Sequence, residues 1–276
     1  MKTAFSSVAC MDASWKDVLT WTVNAHIDAV EVRLNDDGSM FGLTAESIPQ
    51  MACAFHEAGI AISNLGTSVC FSGYDEKALE RLVPSIRLAE QTGARGIRVF
   101  PGSFVKRFDT ETPHDLDGMA LFLQKAAAVA QKHGVEIWIE THNEFSTGKS
   151  MRRLLDKAQC ANTKVIWDLI HPYEYGEQPE ETLRQLSGFI AHIHVKDGKK
   201  ASDVNQIDYL YTRLGEGELP LHHIFGILEK SGYKGYYSLE WEKAWRPEIR
   251  HIYASEEMLL SDWNTFLAYM KGVNHV

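Results

Sequence analysis

A rhythm that runs the length of the chain constrains its fold most: short β-branched runs alternate with longer amphipathic segments. Parallel strands need a crossover long enough to hold a helix, so this alternation predicts βα units and a parallel sheet. Candidate strands are Thr3–Val8, Ala29–Arg33, Ile60–Leu65, Gly96–Phe100, Val135–Thr141, Lys164–Asp168, Ile190–Val195 and Tyr236–Glu240, eight in all. Between them, Ser14 is expected to open a helix over Trp15–Ala25 and Thr44 one over Ala45–Ala58; Asp75–Thr92, Asp115–His133 and a last segment from about Ser255 to Lys271 also read as helices. Helix, glycine, then strand recurs at Gly59-Ile60, Gly93-Ala94, Gly134-Val135 and Gly232-Tyr233, as an αβ turn that takes a left-handed residue requires. No linker, low-complexity tract or charge block interrupts the series, so residues 1–276 read as a single domain.

Eight βα units can close into a (β/α)8 barrel of the TIM type or open into a doubly wound sheet. An open sheet focuses its site at one crevice, whereas a barrel collects residues from the C-terminal ends of many strands at one mouth. Polar residues here sit at strand ends spread along the chain, and no GxGxxG turn follows the first strand. The barrel is therefore the expected fold.

Strand five reads Ile137-Trp138-Ile139-Glu140 and strand six Val165-Ile166-Trp167-Asp168; strand seven reads Ile190-Ala191-His192-Ile193-His194-Val195 and strand eight Tyr236-Tyr237-Ser238-Leu239-Glu240. Four consecutive units thus offer Glu140, Asp168, His194 and Glu240 at the same relative depth. Three carboxylates in one low-dielectric pocket repel unless a cation neutralises them, which predicts a single divalent ion. The oxygen-rich donor set with one imidazole favours Mn2+, with Mg2+, Co2+ or Zn2+ as alternatives.

At these positions the chain resembles the sugar phosphate isomerase/epimerase family of the xylose isomerase-like TIM barrel superfamily. The residues that carry the likeness are Ile139-Glu140-Thr141-His142, Trp167-Asp168-Leu169-Ile170-His171, His192-Ile193-His194-Val195-Lys196-Asp197, Leu214-Gly215-Glu216-Gly217 and Tyr236-Tyr237-Ser238-Leu239-Glu240-Trp241-Glu242. The first half matches mainly in rhythm, best at Ala29-Val30-Glu31-Val32-Arg33. The resemblance implies that Glu140, Asp168, His194 and Glu240 hold the metal and that Glu140 and Glu240 also move protons. Removing a proton beside a carbonyl leaves an enediolate, which a divalent ion stabilises while two carboxylates take and return the proton.

Around these four, His171, Lys196 and His142 are expected to touch substrate, His171 through the Asp-x-x-His spacing that the resemblance gives a substrate contact. Arg33 and Arg213 are candidates for an anionic substrate group. His192, deeper on its strand, is read as a barrel histidine satisfied by neighbours, and Glu31 and Arg98 as an ion pair. Trp15, Trp138, Trp167 and Trp241 read as core. Trp245 and Phe104 could wall the pocket or an oligomer contact, and Glu242-Lys243 reads as a solvated or interface pair.

The expected activity is isomerisation or epimerisation of a small ketose, keto-sugar or related hydroxy-carbonyl compound. The alternative is a metal-dependent dehydratase of a keto-inositol, keto-sugar or 3-dehydroshikimate type substrate. A nuclease resembling endonuclease IV is disfavoured: its metal cluster needs more histidines than the first four strands offer, and a net charge of −9 repels phosphate backbones. A non-catalytic sugar-binding module would not need two proton-transfer carboxylates. The four dispersed cysteines form no CxxC pair, and neither a signal peptide nor a run of about 20 apolar residues is evident. A cytoplasmic protein with no nucleic-acid or membrane partner is expected, and a homo-oligomer, dimer or tetramer, is compatible with the sequence.

Overall fold

The computed structural model describes residues 1–44, 46–103, 114–201 and 209–273. Phe104 lies outside the described residues. Eight parallel strands, β1 (Lys2–Ser6), β2 (Ala29–Arg33), β3 (Ala61–Phe71), β4 (Gly96–Pro101), β5 (Glu136–Glu140), β6 (Thr163–Asp168), β7 (Ile190–Val195) and β10 (Tyr236–Leu239), close into a barrel. Their order around the ring is β1-β10-β7-β6-β5-β4-β3-β2. Hence β10 joins β1 and closes the ring, as the sequence rhythm predicts for a (β/α)8 barrel. A small antiparallel pair, β8 (Gly198–Lys200) and β9 (Tyr209–Tyr211), stands on the mouth after β7 and was not foreseen.

The helices are α1 (Trp15–Asn24), α2 (Ile48–Glu57), α3 (Glu76–Thr92), α4 (Leu116–Lys132), α5 (Gly148–Ala158), the short α6 (Ile170–Glu174), α7 (Pro179–Leu186), α8 (Leu221–Lys230) and α9 (Glu256–Val273). Their ends follow from local chemistry. Ser14 and Asp17 form a reciprocal capping box on α1, and Asp75 and Asp115 each accept a first-turn N–H, from Ala78 and Gly118. Gly93 ends α3 in the left-handed conformation at φ 70°.

Two boundaries differ from expectation by more than two residues: β3 runs on to Phe71 and does not end at Leu65, and one helix starts late. Helix α2 begins at Ile48, not at Ala45, and Thr44 does not cap it. The cause is Pro49: it has no N–H to donate to a carbonyl four residues back, so it fits only in the first turn.

Two apolar layers result. The larger fills the space between barrel and helices, where Phe71 stacks on Phe122 at 4.5 Å between ring centroids. The smaller lies inside the barrel, where Trp138 packs with Ile166 and Ala191. Trp138 fits because Gly96 faces it; a Cβ on Gly96 would lie 2.2 Å from the indole ring. Among the described residues no helix is long and apolar enough to cross a membrane.

Candidate metal centre and active site

Strand alternation and register determine which side chains meet. Asp168 lies directly beside His194 in the β6–β7 register, and Leu239 beside Val195 in the β10–β7 register, so Glu240 follows one step above. Inward-facing residues recur every second position, which aims His192, His194 and Lys196 into the barrel at increasing height. Glu140 ends β5 and completes the ring.

Each of Glu140, Asp168, His194 and Glu240 offers one donor atom, and these four atoms lie within 4.8 Å of one another. All four residues are buried. His194 turns Nδ1 toward the carboxylates, 3.0 Å from Glu240 and 3.5 Å from Glu140. Its other nitrogen, Nε2, lies 2.9 Å from Glu31. A proton held on Nε2 by Glu31 leaves Nδ1 with its lone pair aimed inward, an arrangement typical of metal-ligating imidazoles. His194 Nδ1, Glu140 Oε2, Asp168 Oδ2 and Glu240 Oε2 are buried and accept or donate no well-aligned hydrogen bond. Three of these atoms are carboxylate oxygens, costly to bury without a cation; Arg98 and Lys196 approach them, and the four donors also lie close enough together to share one ion. The donor set fits a divalent ion.

Two fixed cations hold the carboxylates together. Arg98 Nη1, buried inside the barrel, is 3.1 Å from Glu140, 3.4 Å from Glu240 and 3.8 Å from Glu31. The ammonium of Lys196 is 2.7 Å from Asp168, 2.6 Å from Glu240 and 3.0 Å from Glu242. Although burial opposes the charged forms, His194 and Lys196 bring the Glu240 carboxyl well below its usual range. Burial, with Glu240 and Glu140 nearby, raises Asp168 to about 7 against the pull of Lys196. Lys196 itself is raised well above its ordinary value because Asp168 and Glu240 outweigh its burial.

Above this cluster opens a cavity of about 430 Å³. Glu140, Glu240, His142, His171 and Arg33 line it, as does Trp245. His171 Nδ1 lies 2.6 Å from the Thr141 carbonyl, to which it donates, and its ring meets that of His142 edge-on at 4.6 Å. Arg213 is not among the lining residues: its guanidinium lies 5.0 Å over the Tyr253 ring. The Glu242-Lys243 pair is split. Glu242 faces the cavity and Lys196, whereas Lys243 pairs with Glu256. Glu31 and Arg98 do approach each other, but Arg98 is closer to Glu140 and Glu240, and Glu31 closer to His192 and His194. The roles of Arg98 as a clasp and of Tyr211 and Arg246 as wall residues were not apparent in the sequence.

The model of the xylose isomerase-like TIM barrel family matches residues 19–258. The chain belongs to this family. Within it, hydroxypyruvate isomerase of Escherichia coli is 24% identical over 206 residues, 72% of each chain. An inosose dehydratase of Bacillus cereus is 26% identical over 145 residues, 48% of this chain and 49% of that one. In three dimensions, the zinc-bound IOLI protein superposes with a TM-score of 0.78 at 20% identity, covering 96% of both chains. The proteins this chain is similar to thus include both an isomerase and a dehydratase.

Proposed function

We propose that the protein is a divalent-metal-dependent isomerase or epimerase of a small ketose, keto-sugar or related hydroxy-carbonyl compound. The convergence of four buried donors from four neighbouring strands carries this reading. Glu140, Asp168, His194 and Glu240 would hold the ion. When bound, it would polarise a substrate carbonyl and offset the negative charge that grows as the adjacent proton leaves.

The protein's own groups supply the rest. Glu140 and Glu240 both line the cavity and share the Arg98 clasp, so two carboxylates can remove and return a proton at neighbouring carbons or on the two faces of one carbon. Lys196, pinned by Asp168 and Glu240, holds the two carboxylates close and keeps Glu240 charged. His171, its Nδ1–H donated to the Thr141 carbonyl, lines the cavity and would contact a substrate hydroxyl. His142 stands against it and would complete the same wall.

A second reading, loss of a β-hydroxyl after the same proton removal, is favoured by the similarity to inosose dehydratase. Mn2+ is the preferred ion, with Mg2+, Co2+ and Zn2+ as alternatives. A test is to incubate the metal-loaded protein in heavy water with a panel of small ketoses, hydroxy-keto acids and keto-inositols. Deuterium entering the carbon beside the carbonyl, with formula otherwise unchanged, supports isomerisation or epimerisation. A product lighter by one water supports dehydration, and neither change with any substrate contradicts both.

A further inference from the structure

The ammonium of Lys196 lies 2.7 Å from Asp168 Oδ2 and 2.6 Å from Glu240 Oε2. Both oxygens belong to the buried donor atoms that make no aligned hydrogen bond, and Glu240 Oε2 is also 3.0 Å from His194 Nδ1. A divalent ion binds carboxylate oxygens at about 2.0–2.2 Å. Held on Glu240 Oε2, it would stand within about 5 Å of the ammonium, which is 2.6 Å from the same atom. Like charges that close in a buried site oppose each other. The ion and Lys196 thus compete for two shared oxygens.

Arg98 and Lys196 both hold these carboxylates, but they differ in how freely each can give way. Arg98 is clamped. Its guanidinium carbon lies 4.6 Å from the Phe100 ring centre, Nη2 reaches the Thr67 carbonyl at 3.5 Å, and a Cβ on Gly66 would come within 3.2 Å of Nη2. Lys196 instead carries a compact charge on a flexible four-carbon stem. It also has a second set of partners within reach. Glu242 Oε2 already accepts from its ammonium at 3.0 Å, and the centre of the Tyr211 ring is 5.5 Å away. Among the described residues Tyr211 Oη is buried and has no hydrogen-bond partner. Burial pushes this hydroxyl well above its ordinary range, and Lys196 is the first charged group to oppose that rise. The ring is held in place, with Arg246 Cζ 4.0 Å over it and the Tyr211 backbone paired with Gly198. A buried hydroxyl with unused lone pairs near a lysine is a ready acceptor.

We propose that Lys196 is a movable cation with two seats: an arriving divalent ion displaces its ammonium from Asp168 and Glu240 onto Glu242 and the Tyr211 hydroxyl. This rests on the metal-dependent reading of the site and deepens it. Before an ion arrives, Lys196 offsets the charge of the two buried carboxylates. Once the ion takes that place, Lys196 keeps its bond to Glu242 and gains the tyrosine oxygen in exchange for the two it gives up. The quality of the second seat then helps set how tightly the ion is held.

The test is a double-mutant cycle on Mn2+ binding, read by competition with a metal-sensitive dye, over wild type, Tyr211→Phe, Lys196→Met and the double variant. Tyr211→Phe changes no charge and removes only the hydroxyl of the second seat, so it is expected to weaken Mn2+ binding about tenfold, as loss of a hydrogen bond to a charged group does. In the Lys196→Met background the same substitution is expected to change affinity by less than about twofold. Lys196→Met by itself is expected to tighten Mn2+ binding by at least about tenfold, because the competing charge is gone. An undiminished affinity in Tyr211→Phe, or an equal loss in both backgrounds, overturns the movable cation, and so does weaker binding by Lys196→Met. If Lys196→Met does not fold, Lys196→Gln, which keeps a donor, takes its place with the same expectations; if neither folds, Tyr211→Phe decides alone. Mn2+ binding by all four proteins without coupling fells the second seat and leaves the metal-dependent reading standing. No Mn2+ binding by any of them fells that reading and the movable cation with it.

Discussion

The barrel interior has two storeys built on opposite rules. Lower down, Trp138 fills the space against Gly96, Ile166 and Ala191, and its indole N–H donates to Glu136 at 2.8 Å. Shape decides the fit of Trp138 there, and its own polar atom is satisfied. Glu140 and Asp168, two residues beyond Trp138 and Ile166, stand with His194 and Glu240 and leave donor atoms buried without aligned hydrogen bonds. Arg98 and Lys196 balance these carboxylates, an arrangement costly to bury that a bound ion would share. The contrast teaches that the lower storey holds the barrel together, whereas the upper storey is held in tension for a ligand.

Substitutions in the two storeys should therefore fail differently. Glu240→Gln keeps the shape but removes a charge and a proton acceptor, so α-hydrogen exchange should drop by about 10²–10⁴-fold while the far-UV circular dichroism stays unchanged. Gly96→Ala should do the reverse. It forces a methyl group into Trp138 and should cost about 1–3 kcal/mol of stability in denaturant titrations, with metal content preserved. Equal loss of activity and stability in both variants would erase the distinction between the storeys.

Smaller effects sharpen the boundary. Glu31 lies beside Nε2 of both His192 and His194, at 3.2 and 2.9 Å. Glu31→Gln should weaken divalent-ion affinity by about tenfold or more through the orientation of His194, read by competition with a metal-sensitive dye. Lys243, 41% exposed in its pair with Glu256, lies outside both storeys. Lys243→Ala should shift stability by less than about 1 kcal/mol and leave ion binding untouched.

Much of the upper storey could be read in the sequence because strand ends repeat. Glu140, Asp168, His194 and Glu240 occupy equivalent depths in successive units, and a period of two along each strand decides which way they face. What could not be read is how side chains meet across the barrel. Arg98 reaches Glu240 over a separation of 142 residues, which no local pattern encodes. Glu242 looked like a solvated residue because it sits beside Lys243, yet Lys196 draws it toward the cavity. Arg213 precedes the Gly215-Glu216-Gly217 turn closely enough to suggest the mouth. In fact Asp197 accepts N–H bonds from Gly215 and Gly217, and Arg213 is left against Tyr253. The false helix start at Thr44 came from weighing a cap residue above the restriction imposed by Pro49.

Elemental analysis by plasma mass spectrometry, on protein loaded with Mn2+ and then passed through a desalting column, tests the central claim most directly. About one divalent ion per wild-type chain is expected, and well below that in His194→Ala and Glu240→Gln. Full occupancy in both variants, or none in the wild type, would contradict it.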